Sequence, residues 1–181
     1  MTRYVALLRG INVGGHNRLP MATLRGAVES VGGTDVATYV QSGNVVFTAP
    51  RGAPTATPAM AEALRAALAA ETGLDIAFVV RTAAEWRAMI AANPYPAAAS
   101  GAKALHVMSF AAPPGAALDA VDAARFAPEE FTVIGSDLYL HLPSGMGNSK
   151  LAGALEHASR AQPGTTRNWN TVSAIERLLD R

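Results

Sequence analysis

The sequence predicts an α+β protein in which a ferredoxin-like βαββαβ unit is used twice, with additional helices. Three observations lead there. Short apolar or β-branched runs of strand length alternate with apolar residues recurring at helical spacing. These segments follow the order strand–helix–strand–strand–helix–strand in residues 1–92 and again in 103–181, which is the split βαβ order. In each half a Gly-bearing turn joins the second and third strands as a hairpin. Antiparallel sheets backed by helices make the class α+β.

In the first half, residues 3–9 (RYVALLR) form a strand and residues 10–20 (GINVGGHNRLP) a polar, Gly-rich loop. Met21, Leu24, Val28 and Val31 then recur as one face of a helix that Gly32-Gly33 ends. Residues 35–40 and 44–48 are β-rich and flank a turn at Ser42-Gly43. Residues 49–58 are a loose Pro/Gly/Thr connector. Met60, Leu64, Ala67 and Leu68 mark a second helix closed by Gly73, and residues 76–80 a buried-type strand. Thr82 to Glu85 spell a capping box. The helix behind it carries Trp86, Met89 and Ile90, and ends before Pro94 and Pro96.

Residues 93–102 read as a linker rich in small residues. The second half then offers a strand at 105–110, a Pro-started helix at 113–124 and strands at 130–134 and 138–142 turning at Gly135-Ser136. A helix at 148–160 carries Leu151 and Leu155, a short extended piece spans 164–167, and Trp169, Val172, Ile175 and Leu178 face one way on the last helix. The two halves share element order, with little sequence identity.

Composition narrows the function classes. A chain of 181 residues, half of them hydrophobic and only 16% charged, is globular. At this size folding buries about 70% of the surface exposed by the unfolded chain. Lys+Arg 15 against Asp+Glu 14 leaves +1, without the basic excess of a nucleic-acid footprint. With Cys 0 there are no thiol nucleophiles, disulfides or Cys-based zinc sites. The four His, at 16, 106, 141 and 157, lack ligand spacing, so no metal is expected. No apolar run is long enough to span a membrane, and Arg9 interrupts the one apolar stretch near the start, so a cytoplasmic protein is expected.

Topology then says where polar loops meet. In a βαββαβ unit the first and second strands end at one pole and the third and fourth at the other. The first half thereby brings 10–17 beside 41–44; the second brings 144–150 (SGMGNSK) beside 165–170 (TTRNWN). These are the candidate binding clusters: Arg9, Asn12, Gly14, Gly15, Gln41 and Asn44 in the first, Asn148, Lys150, Arg167 and Asn168 in the second. A Gly-rich loop between strand and helix presents backbone N–H groups to anions. Lys150, in the first turn of a helix, opposes the macrodipole unless it is solvated or an anion sits between them. Arg167 is the best single anion clamp, because its planar fork binds carboxylate or phosphate bidentately. For one of Asn168 and Asn170 a plain N-cap is the better reading.

Sharper motifs fail. Gly10 and Gly15 have P-loop spacing, but His16-Asn17 follows where Lys and Ser/Thr are required, which argues against a Walker ATPase. There is no G-x-G-x-x-G, no H-E-x-x-H and no G-x-S-x-G. Phe47 and Tyr4 are too few for an RNA-recognition face.

Three strings together, YVALLRGINVGGHN (4–17) with TYVQSGNVVF (38–47), DLYLHLPSGMGNSKL (137–151) and TTRNWNTV (165–172), resemble the uncharacterised bacterial family catalogued as domain of unknown function 1697. That resemblance implies a duplicated ferredoxin-like α+β arrangement. It brings no activity, cofactor or catalytic set. His16 stands where many relatives carry Lys.

The function expected from the residues is small-molecule or nucleotide/phosphate binding through the polar loops, with an anionic ligand as partner. The alternative is a non-enzymatic protein-interaction module, with the same residues serving as turn and cap chemistry. No nucleophile or general base accompanies the loops.

Overall fold

The computed structural model describes residues 1–12, 14, 17–50, 52–53, 56–96 and 103–181. Gly15, His16 and residues 97–102 of the predicted linker lie outside the described residues. The chain divides into two compact units, Met1–Ala88 with Ala174–Arg181, and Met89–Ser173. The sequence boundaries of 1–92 and 103–181 differ from this in one respect above all: the end of the last helix belongs with the first unit.

The first unit runs β1 (Thr2–Leu8), α1 (Met21–Ser30), β2 (Thr34–Tyr39), β3 (Asn44–Ala49), α2 (Thr57–Thr72) and β4 (Phe78–Thr82). Its sheet order is β2-β3-β1-β4, every neighbouring pair antiparallel. That is the βαββαβ arrangement expected, with the first strand central. α2 ends where Gly73, at φ 71, donates its N–H to Ala69 at 2.8 Å, a left-handed closure that glycine adopts without a Cβ penalty. The hairpin turn is longer than expected: Tyr39 pairs with Asn44, so Val40, Gln41, Ser42 and Gly43 all lie in it.

One face of this sheet, carrying Tyr4, Ala6 and Leu8 with Val45, Phe47, Phe78 and Val80, packs on Leu24 and Val28 of α1 and Met60, Leu64 and Leu68 of α2. Burying a side chain of that size contributes about 1.5–3 kcal/mol. Tyr4 and Phe47 stack with ring centroids 5.6 Å apart. The opposite face, with Val5, Leu7, Val46 and Val79, is buried as well. This is why β1 reads as a continuous apolar run instead of alternating.

α3 (Ala83–Ala91) begins at the predicted capping box. Thr82 N–H donates to the Glu85 carboxylate at 2.7 Å and Glu85 N–H donates back to Thr82 Oγ1 at 3.2 Å.

The second unit contains β5 (Leu105–Ser109), β6 (Glu130–Ile134), β7 (Asp137–His141), α4 (Lys150–Ala158) and β8 (Thr165–Asn168), followed by α5 (Trp169–Leu179). Its sheet order, β6-β7-β5-β8, repeats that of the first. Met108, Phe110, Leu138, Leu140 and Leu142 pack on Leu151 and Leu155 of α4. The helix expected at 113–124 is not formed. Two short 3-10 turns, Ala116–Leu118 and Ala123–Phe126, replace it. Between them Asp122 accepts the N–H of Ala124 at 3.1 Å and starts the second turn afresh, the local competition with helix that Asp side chains offer. Leu118 and Val121 are too few to anchor a continuous helix.

Candidate functional site

The first polar cluster is held together by one side chain. The Asn12 amide donates to Gln41 O at 2.7 Å and Leu19 O at 3.1 Å, while its Oδ1 accepts the Leu19 N–H at 2.9 Å. Loop 10–20 is thereby tied to itself and to the hairpin turn. A second tie runs from Leu8 N–H to Gly43 O at 2.8 Å. Gly43 itself has φ 75, and a Cβ there would meet Leu8 Cβ at 2.6 Å, so only glycine lets the turn approach β1 this closely. Asn17 Nδ2 donates to Gly10 O at 2.9 Å, and Asn17 O accepts from Asn12 N–H at 3.2 Å.

The backbone of this pole is left-handed at an unusual density: Gly10, Asn12, Gly14, Asn17, Val40 and Gly43 all have positive φ. Gly and Asn visit that region readily; Val does not. Val40, at φ 49, is also 52% exposed. Asn44 is 1% exposed and donates to Tyr39 O and Ser42 Oγ, both at 3.0 Å. The structure therefore ties Asn12 to Gln41 and places Asn44 at the end of the same turn. Asn12 and Asn44 point their amides inward to shape the loops, whereas Arg9, Gly14, Asn17, Gln41 and Ser42 are exposed.

The second cluster is different. β7 and β8 both pair with β5, Leu105 opposite His141 and His106 opposite Asn168, so their ends share the pole that topology predicted. The first turn of α4 already holds an anion, and it is the protein's own. Glu129 accepts the Ser149 hydroxyl at 3.1 Å and the Leu151 N–H at 3.2 Å. Ser149 completes the cap by accepting Ala152 N–H at 2.9 Å. Asn148 lies in the 3-10 turn Met146–Asn148 before the helix and, like Lys150, is exposed. Glu129 carried no sequence signal, being 20 residues from Ser149.

Arg167 is not a surface residue. It is 9% exposed, and its Nη1 donates to Thr165 Oγ1 at 2.9 Å and Thr166 O at 2.8 Å. Burial pulls its pKa down to about 10. Asn168 takes the plain role weighed for it: Oδ1 accepts Thr171 N–H at 2.9 Å and caps α5.

Arg167 has a counterpart that sequence reading missed. Arg81 of β4 lies opposite Val5 of β1, as Arg167 of β8 lies opposite Val107 of β5. Each is buried on the sheet face away from the helices, and each donates to the carbonyl of the residue before it. The only hint was an Arg ending the apolar run FVVRT.

Buried polar groups elsewhere in the second unit include the Ser109 hydroxyl, donating to Asp137 at 2.7 Å, and His106, whose Nδ1 is buried without a hydrogen bond. Burial holds the His106 pKa below its ordinary value. Among the described residues, no three His, Asp or Glu side chains gather as a metal site would require, and no helix is long and apolar enough to cross a membrane.

The family model described as "Protein of unknown function (DUF1697)" matches residues 1–139. The chain belongs to that family. The matched stretch holds the whole first cluster and stops before 144–150 and 165–170. A conserved bacterial protein, SP0830 from Streptococcus pneumoniae, is 23% identical, with a TM-score of 0.71 over 98% of each chain, a likeness of fold. No curated protein matches this family member.

Proposed function

We infer that the protein binds a small anionic molecule, of the phosphate or nucleotide class, at the pole of the first unit. The surface consists of Arg9, Gly14, Asn17, Gln41 and Ser42. The observation carrying this reading is the Asn12 clasp on Gln41 O, which holds two polar loops in a fixed relation at the expense of several left-handed residues. Strain of that kind persists where surrounding contacts over-determine it, and it concentrates at binding sites. A preorganised loop loses less entropy on binding. The Glu129 carboxylate on α4 and the burial of Arg167 turn the reading away from the second cluster.

The test is titration of inorganic phosphate and of nucleotides, followed by melting temperature and by amide shifts of Gly10, Gly14, Gln41 and Gly43. Binding at a hundredfold excess over Kd stabilises by about 2.7 kcal/mol. Asn12→Gly keeps the left-handed backbone and deletes the clasp; it should remove that gain. Shifts confined to the α4 end, or none with any anion, would sink the reading.

A protein-interaction role for the same pole is the second reading. It is favoured by Val40, an apolar side chain at the rim of these polar loops and 52% exposed. Anion titrations without effect, together with broadening of Val40 by a protein partner, would select it.

A further inference from the structure

We propose that β6 is a pairing edge and that its occupant is the β6 of a second copy, joined antiparallel about Thr132. The two sheets have four outer strands, and three are protected. β2 shifts register between Thr34 and Ala37, with Asp35 at φ 50, which breaks its outer edge. β4 is buried along Phe78, Val79, Val80 and Arg81. β8 has only four residues. β6, five residues long and packed against the 3-10 turn Ala123–Phe126, has neither a register shift nor a buried run. It pairs with β7 through five unbroken positions, Glu130 opposite His141 to Ile134 opposite Asp137, and contains no Lys, Pro or Gly. Val133 and Ile134 are exposed at 38% and 39%. Among the described residues no strand pairs with its outer side.

The geometry of the hairpin says which main-chain groups face outward. A two-residue turn, Gly135-Ser136, makes its flanking pair Ile134–Asp137 a hydrogen-bonded one. The pairs Val133–Leu138 and Phe131–Leu140 are then of the other kind, so the N–H and C=O of Phe131 and Val133 point away from β7.

A second β6 fits this edge in one register that uses every residue. Centred on Thr132, it places Phe131 opposite the partner's Val133, twice, with their outward groups matched. Phe131 and Val133 share the sheet face that packs on α4, so each junction is an aromatic–β-branched pair continuing that core. On the other face Thr132, whose hydroxyl shares a hydrogen bond with the Tyr95 hydroxyl at 2.8 Å, lies opposite its own copy, and Glu130 lies opposite Ile134. Glu130 is the strand's one charge, and this register keeps the two copies of it apart. The strand is self-complementary, as a two-fold interface requires.

Sedimentation of the wild type over rising concentration should show a monomer–dimer equilibrium. Val133→Pro removes an outward N–H and leaves the β6–β7 ladder whole, so it should keep the wild-type circular dichroism and weaken association about tenfold or more. Val133→Lys should do the same by charge. Independently of any variant, the Phe131 and Val133 amides should exchange more slowly as wild-type concentration rises. A wild type that stays monomeric, a dimer that survives both substitutions, or amides indifferent to concentration would each overturn the proposal. Protection that appears only on adding a foreign peptide would overturn it too, and would assign the edge to another protein.

Discussion

The carboxylate of Glu129 accepts the Ser149 hydroxyl at 3.1 Å and the Leu151 N–H at 3.2 Å. An acidic side chain from before β6 thus sits where the positive end of the α4 dipole would otherwise attract an external anion. Lys150, the first residue of the helix, is exposed beside the two residues this carboxylate binds.

Glu129→Ala should therefore have two effects. Loss of the cap contact should cost about 1 kcal/mol of stability. The vacated helix end should also begin to respond to phosphate, so that the urea midpoint of the variant, unlike its loss in plain buffer, partly recovers on adding the salt. A midpoint equal to the wild type's in plain buffer would show that the contact contributes nothing.

Arg167→Ala should destabilise by about 3 kcal/mol, equally with and without anions, because a buried, hydrogen-bonded cation is removed and Thr165 loses its donor. Arg167→Lys should recover only part, since a point charge does not reproduce the fork. Denaturant midpoints of the three proteins decide it. A loss under 1 kcal/mol that appears only in the presence of phosphate would restore Arg167 to the list of ligand residues.

Val40→Asn should raise stability by about 1 kcal/mol. A β-branched residue at φ 49 is strained, its side chain is half in solvent, and Asn tolerates that backbone. Thermal melts of the two proteins suffice. A lower melting temperature for Val40→Asn would mean that packing of the Val side chain outweighs the strain.

His106 should make the fold acid-sensitive. Burial lowers its folded pKa, so between that value and about 6.5, the unfolded one, the unfolded chain binds more protons. The stability concerned is intact above about pH 6.5 and is lost as pH falls through the interval. His106→Leu should flatten the melting temperature over that range. An unchanged slope would place the sensitivity in other groups.

What the sequence disclosed followed from local chemistry. The capping box at Thr82, the closure at Gly73 and the Gly135-Ser136 turn are each spelled by adjacent residues, and element order then carried the sheet topology. The meeting of residues 10–17 with 41–44 followed from that topology. The helix expected at 113–124 failed because a starting Pro and two apolar residues resemble a helix, while Asp122 offers a competing turn. At the second cluster the exposure of Arg167 was misjudged, since a strand with polar neighbours at Thr166 and Asn168 reads as surface although its sheet face is buried. Glu129 and Arg81 were missed for a shared reason. Their roles depend on strands and helices distant in the chain, which no local pattern encodes.

The first unit is completed by residues that follow the whole second unit in the chain. Leu178 O accepts from Arg3 Nη2 at 3.1 Å, and Arg87 binds Glu176 and Asp180 at 2.9 and 2.7 Å, all within that unit. On a translating ribosome the β2-β3-β1-β4 sheet can assemble early, but its final contacts wait until the entire second unit has been synthesised. The nascent chain therefore carries an unfinished surface around Arg3 and Arg87 until the second unit has been synthesised. Premature termination anywhere in the second unit leaves that surface bare, which marks truncated products for chaperones and proteases.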